Sequence, residues 1–226
     1  DIEAKGTGYY TKTECGADIT LTSLPGTIAI KGTLTGGNEI TGQVSTSNYN
    51  IHNILNPNKK QDLEKLSLTA NIKGKIKGKD NQPELSATGQ IAQLVFKNYT
   101  YRGIDFNTSK TGNNYSAGLA IADANGTLNA NINALLHNGN KTAKGSIEIE
   151  NLNPHQLNLT QKYQNETFST KLTYDLTGNN LDNLTGTVEI EDLSVRSSEK
   201  GDIATGPIKL YSHPEASEKD FNIESD

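Results

Sequence analysis

Apolar and polar residues alternate along most of this chain with the period of a half-buried strand. The clearest run is Leu66, Leu68, Ala70, Ile72 and Ile76, each separated by polar residues or glycine. Ile19 and Leu21, then Ile28, Ile30 and Leu34, form earlier runs broken by Pro25-Gly26 and Gly36-Gly37. Those dipeptides are turn chemistry. Leu119 and Ile121, then Leu128 and Ile132, flank Asp123–Gly126, which predicts a hairpin around an Asx-Gly turn. Leu172, Tyr174 and Leu176 alternate again, and Ile208 and Leu210 mark a last, weak strand. The first fourteen residues, with Tyr9-Tyr10, read as a weak opening strand.

One strand type recurs four times. Each copy begins at a glycine: Gly42, Gly89, Gly145 and Gly186. Two residues on stands a β-branched aliphatic: Val44, Ile91, Ile147 and Val188. Seven residues on stands a bulky apolar side chain: Tyr49, Phe96, Leu152 and Leu193. The glycines are 47, 56 and 41 residues apart, so the repeat is loose and its loops vary. Positions two and seven have opposite parity and cannot share a face of a regular strand. An extra residue between positions four and six brings them together, which predicts a β-bulge there in most copies.

The rest of the chain is loop or weakly patterned. Residues 56–65 admit a helical turn behind Pro57, or a surface loop. Residues 108–114 read as turn-rich, 153–165 as a longer connection, and 212–226 as a loosely held acidic tail. The expectation is one elongated all-β domain of mostly antiparallel strands over 1–226.

Composition narrows the architecture. Hydrophobic residues make up 33%, there is no Trp, and there are four Phe. With no amphipathic helix to cover the apolar strand faces, a sandwich, a closed barrel or solenoid, or a curled trough remains. Small residues such as Ala70, Ala117, Ala130 and Ala134 suit a narrow curled sheet; a thin sandwich is the alternative. The net charge of −5 offers no basic stripe for nucleic acid. No apolar run is long enough to span a membrane. The lone Cys15 excludes an internal disulfide, and the absence of Met reads as a segment of something longer.

The order of units adds a resemblance. ATGQIAQLVFKNYTYRGIDF, then YSAGLAIADANGTLNANI, then KGSIEIENLNPHQLNL resembles the AsmA-like family, in particular the TamB-type translocation and assembly proteins of Bacteroides relatives. The likeness covers about residues 32–193, less tightly before Val44. It implies a β-taco, a long sheet folded into a U-shaped trough with an aliphatic groove. It implies a periplasmic protein anchored to the inner membrane through an N-terminal segment not present here. The family handles phospholipid between the two membranes and assists outer-membrane protein assembly with a barrel partner, which would engage regions absent from this chain. The chain would be a middle slice, non-enzymatic and without cofactors.

The groove reading nominates Val44, Tyr49, Ile91 and Phe96 in the first half of the chain. In the second half it nominates Leu119, Ile121, Leu128 and Ile132; then Ile147, Leu152, Leu172 and Tyr174; and finally Leu176, Val188 and Leu193. Their ligand would be phospholipid acyl chains; the plain alternative is ordinary core. His52, His137, His155 and His213 have no partner at metal-ligand spacing. Asp123–Thr127 lacks the further oxygens of a calcium loop. The pairs Glu148/Glu150 and Glu189/Glu191 have the residue types of a glycosidase acid and base, but their alternation with apolar residues puts them on a solvated face. A β-rich surface adhesin or stalk is the competing function.

Overall fold

The computed structural model describes residues 2–23, 26–50, 62–137, 139, 141–179, 183–213 and 220–225. It divides into two compact units, Asp1–Gly112 and Asn113–Asp226. The fold is all-β and antiparallel throughout, the fold class expected from the strand pattern.

The first unit holds β1 (Ile2–Tyr10), β2 (Glu14–Ser23), β3 (Gly26–Thr35), β4 (Glu39–Asn50), β5 (Leu63–Lys75), β6 (Glu84–Phe96), β7 (Tyr99–Tyr101) and β8 (Ile104–Thr111). Each strand pairs with the one before it in the chain, except that β7 and β8 both pair with β6. Gly36 and Gly37, with φ of 58° and 66°, are the central residues of the turn in the three-residue β3–β4 connection, where the Asn38 N–H reaches the Thr35 carbonyl at 3.1 Å. Lys97 and Asn98, with φ of 49° and 62°, close β6 onto β7 as a two-residue turn. The second unit holds β9 (Asn114–Asp123), β10 (Gly126–Leu136), β11 (Lys141–Leu152), β12 (Glu166–Thr177), β13 (Thr185–Ser197), β14 (Ile203–Thr205), β15 (Ile208–His213) and β16 (Asp220–Ser225). Its order is again sequential, with β14 and β15 side by side on β13.

Three expectations change. The residues 108–111 read as turn belong to β8, because Lys110 and Thr108 continue the ladder opposite Leu85 and Ala87. Of the admitted helical turn at 56–65, residues 56–61 lie outside the described residues, and the remainder enters β5 at Leu63. The 212–226 tail contributes strand: β15 runs to His213 and β16 pairs with it, while 214–219 and 226 lie outside the described residues.

Few side chains are buried. Among the described residues the buried apolar ones are Ala70, Tyr101, Ile104 and Leu157. A sandwich would bury an inward row from every strand, so each unit is a single open layer rather than the thin-sandwich alternative. The surface area agrees: a compact protein of this mass exposes on the order of 10,000 Å², whereas this chain exposes 14682 Å².

Candidate functional site: one apolar face per unit

Residues opposite one another in an antiparallel ladder project from the same face, so the register assigns faces directly. In the first unit Ile30 opposes Val44, Val44 opposes Ala70, and Ala70 opposes Gly89, which opposes Phe106. One step along, Leu68 opposes Ile91 and Ile91 opposes Ile104. In the second unit Leu119 opposes Ala130, Ala130 opposes Ile147, Ile147 opposes Leu172, and Leu172 opposes Ile190. A parallel row runs Ile121, Leu128, Ile149 and Thr170. Each unit therefore has one apolar, inner face and one polar, outer face.

The bulges decide whether the repeat contributes both of its apolar residues to that face, and in all four copies they do. Between Thr46 and Tyr49 two residues of β4 oppose one of β5, so Val44 and Tyr49 face Ala70 and Leu66. Between Ile149 and Leu152 the same count places Ile147 and Leu152 opposite Leu172 and Phe168. Glu191 is the extra residue in β13, which sets Val188 and Leu193 opposite Tyr174 and Thr170. These three fall at positions five and six, as parity predicts. The second copy differs: Ala92, at position three, is its extra residue and puts Ile91 and Phe96 on one face, while Glu64 is a separate extra residue on β5 further along.

Two bulges are built alike. Asn48 and Asn151 take φ of 47° and 52°, the left-handed region that Asn tolerates. Each donates its backbone N–H to a serine hydroxyl on the next strand, Ser67 or Ser169, at 2.9 Å. The amide freed from the ladder thus keeps a partner.

The repeat glycines lie on the inner face and bring neighbouring strands close. A Cβ on Gly145 would stand 2.1 Å from the Asn131 carbonyl oxygen and 2.6 Å from the Tyr174 hydroxyl. One on Gly89 would meet the Phe106 ring at 2.6 Å. An aromatic from the facing strand therefore fills the space above each of these glycines. Gly186 carries φ of 128°, and its Cβ would stand 2.0 Å from the Asp175 carbonyl oxygen.

Exposure on the inner face is graded. Leu85, Leu119, Ile132 and Leu136 are 40%, 37%, 38% and 44% exposed. The nominated residues other than Leu119 and Ile132 are half-buried. Ala70 is buried in mid-sheet and Ser212 beside Gly186, and the other described buried residues lie toward the bulge-side strand ends. In the first unit these are Tyr101 and Ile104, with the Tyr99 and Tyr101 rings edge-on at 4.7 Å. In the second, Leu157, Glu166 and Ser197 are buried beside the 153–165 connection.

The outer face is a lattice of polar pairs. Thr33 and Thr41 hydroxyls lie 2.7 Å apart, and Gln43 donates to Asn71 at 3.1 Å. Lys144 pairs with Asp175 at 2.9 Å. Lys171 bonds Glu191 at 2.6 Å, and that bond, foremost, holds the ammonium pKa above its ordinary value. Lys171 also opposes Glu148. One member of each glutamate pair, Glu148 and Glu191, thus stands beside the outer-face cation Lys171. Three shallow hollows open among outer-face residues, one of them bounded by Lys31, Thr33, Thr41, Gln43 and Asn71.

The 153–165 connection carries structure that its sequence reading lacks. Asn153 caps a single helical turn: its Oδ1 accepts from the Gln156 N–H at 2.9 Å, with Pro154 at the first helical position. Asn158 ends the turn at φ 55°; its N–H reaches the His155 carbonyl at 3.0 Å, and the Leu159 N–H reaches that of Pro154 at 2.9 Å. Asn-Pro with an Asn four residues after the proline is the signal that finds it. The same dipeptide at Asn56-Pro57 drew the helical reading instead.

Among the described residues no three His, Cys, Asp or Glu side chains are placed to share a metal ion. Among those residues no helix is long and apolar enough to cross a membrane. His52 lies outside the described residues; His137 sits 3.3 Å from Asn113, and the Nδ1 of His155 is buried without a hydrogen-bond partner. Comparison with known proteins finds no family model, no curated protein and no solved structure that matches the chain.

Proposed function

We propose that this chain is a non-enzymatic segment of a periplasmic, membrane-bridging protein of the AsmA-like, TamB type, and that its apolar face shelters phospholipid acyl chains in transit between inner and outer membranes. Service in outer-membrane protein assembly, through parts of the parent protein outside this chain, belongs to the same reading. The observation that carries it is the inner face: a row of aliphatic side chains across successive strands, left half-exposed. A lone Leu or Ile left wet forgoes roughly 1.5–3 kcal/mol, so a row of them favours an apolar occupant. Each sheltered methylene contributes about 0.8 kcal/mol, and half-covering a chain of about sixteen carbons therefore contributes about 6 kcal/mol. Two chains of one phospholipid then exceed the low end of the association cost, about 4–15 kcal/mol.

Native mass spectrometry of the chain expressed in Gram-negative bacteria tests this. Adducts of phospholipid mass are expected, and they should disappear in Leu128→Asp, which places a charge at the middle of the second unit's inner face. A chain that purifies free of phospholipid and takes up none from vesicles would end the proposal.

A further inference from the structure

The 153–165 connection is held at its two ends. At the first, the Asn153 N–H reaches the Asn125 carbonyl at 2.8 Å, and Asn153 Nδ2 closes the connection on itself by donating to the Gln164 carbonyl at 3.2 Å. At the second, Asn165 Nδ2 donates to Glu199 Oε1 at 2.6 Å, and the Asn165 N–H to Glu166 of β12, which Lys200 Nζ bonds at 2.9 Å. Its contact with the inner face is aromatic: the Tyr163 ring stands edge-on to Phe168 at 5.2 Å. Phe168 lies on that face between Leu152 and Val195. Leu157, at the end of the capped turn, is 2% exposed, the only buried apolar residue among the described part of the second unit. Yet Leu159 and Tyr163 in the same connection are 41% and 48% exposed. Tyr163 also holds φ of 61°, a left-handed backbone that a bulky residue adopts only under strain. A buried anchor, a strained residue and exchangeable polar ties describe a segment that can come away as a unit.

We propose that this connection is a displaceable strap whose Leu157 and Tyr163 occupy the bulge-side end of the inner face of β11, β12 and β13, and that lifting it admits an acyl chain there. The inference rests on the lipid-sheltering reading above and adds a gate to it. Closed, the strap limits how far along the second unit an apolar chain extends. Open, it frees Phe168, Leu152 and Val195 for contact.

The test uses the full chain and a dansyl-labelled undecanoic acid. The double variant Asn165→Ala/Lys200→Ala removes the side-chain tie to Glu199 and the cation that holds Glu166 beside Asn165, and leaves the apolar face untouched; Leu157→Ala removes the anchor. Exchange at the Leu157 and Leu159 amides should accelerate about tenfold in both variants, and probe uptake should rise several-fold over the unaltered chain. Accelerated exchange with unchanged or reduced uptake overturns the strap and leaves lipid sheltering intact. Unchanged exchange in both variants overturns it too, because the ties and the anchor would then hold nothing. If the unaltered chain takes up no probe and carries no phospholipid, the sheltering reading falls and the strap falls with it.

Discussion

The bulge-side ends of the two units begin from the same device and finish differently. Asn48 with Ser67, and Asn151 with Ser169, are one solution used twice. Among the described residues of the first unit, the buried apolar side chains at that end are held in ladders, Tyr101 on β7 and Ile104 on β8. In the second, the 153–165 turn meets Phe168 through Tyr163 and is held by a backbone bond at one end and side-chain bonds at the other. Closure by strand is costly to undo, because opening it breaks backbone pairing. Closure by strap needs only a few polar exchanges and one apolar transfer.

The comparison is easiest to break at the two buried anchors. Ile104→Ala should lower the stability of the first unit by about 2–5 kcal/mol, read as a shifted denaturation midpoint. Leu157→Ala should leave the main unfolding transition nearly in place and show itself in local exchange. Equal losses at the two sites would remove the distinction between ladder and strap.

The repeat glycines give the next effect. Gly186→Ala meets both a positive φ and a carbonyl 2.0 Å from its new methyl, and should cost about 1–3 kcal/mol from backbone strain alone. Gly42→Ala meets the Lys31 carbonyl at 3.1 Å without a positive φ and should cost about 1 kcal/mol or less. Urea titration of the two variants ranks them.

The shared bulge predicts matched losses. Asn48→Ala and Asn151→Ala should each cost about 1–2 kcal/mol, because the left-handed conformation suits Ala poorly. Gly at either position should restore most of it. A large difference between the two would show that the strap contributes to the bulge beside it.

Acid offers a smaller, selective handle. The Lys200 bond, foremost, holds the Glu166 carboxyl below its ordinary value of 4.5. A depressed carboxylate stabilises the folded state above that ordinary value, and the contribution is lost as pH falls through the depressed one. Below about pH 4.5, exchange at Leu157, corrected for its intrinsic pH dependence, should accelerate, whereas Ile104 should show no matching step.

Much of this architecture was legible because parity is unforgiving. Val44 and Tyr49 cannot share a face without an extra residue between them, and Asn48 is the residue type that accommodates one. The second copy escaped the rule for a local reason. It has Val95 where the first and third copies have Asn, so no left-handed residue is at hand, and the extra residue moves back to Ala92. The strap was harder to see. Residues 153–165 read as a connection, and nothing local reveals that the chain turns back onto Phe168. Whether the nominated residues were core or groove lining also escaped the pattern, since a covered and an uncovered face read alike until the neighbouring layer is known.

The sequential pairing of strands has a consequence for how such a chain can change length. Within each unit, each described strand pairs with the strands just before and after it, apart from the small flaps β7 and β14. A hairpin gained or lost in the middle disturbs two seams and leaves every other register alone. Reach can therefore be adjusted in hairpin increments, without re-solving the fold each time.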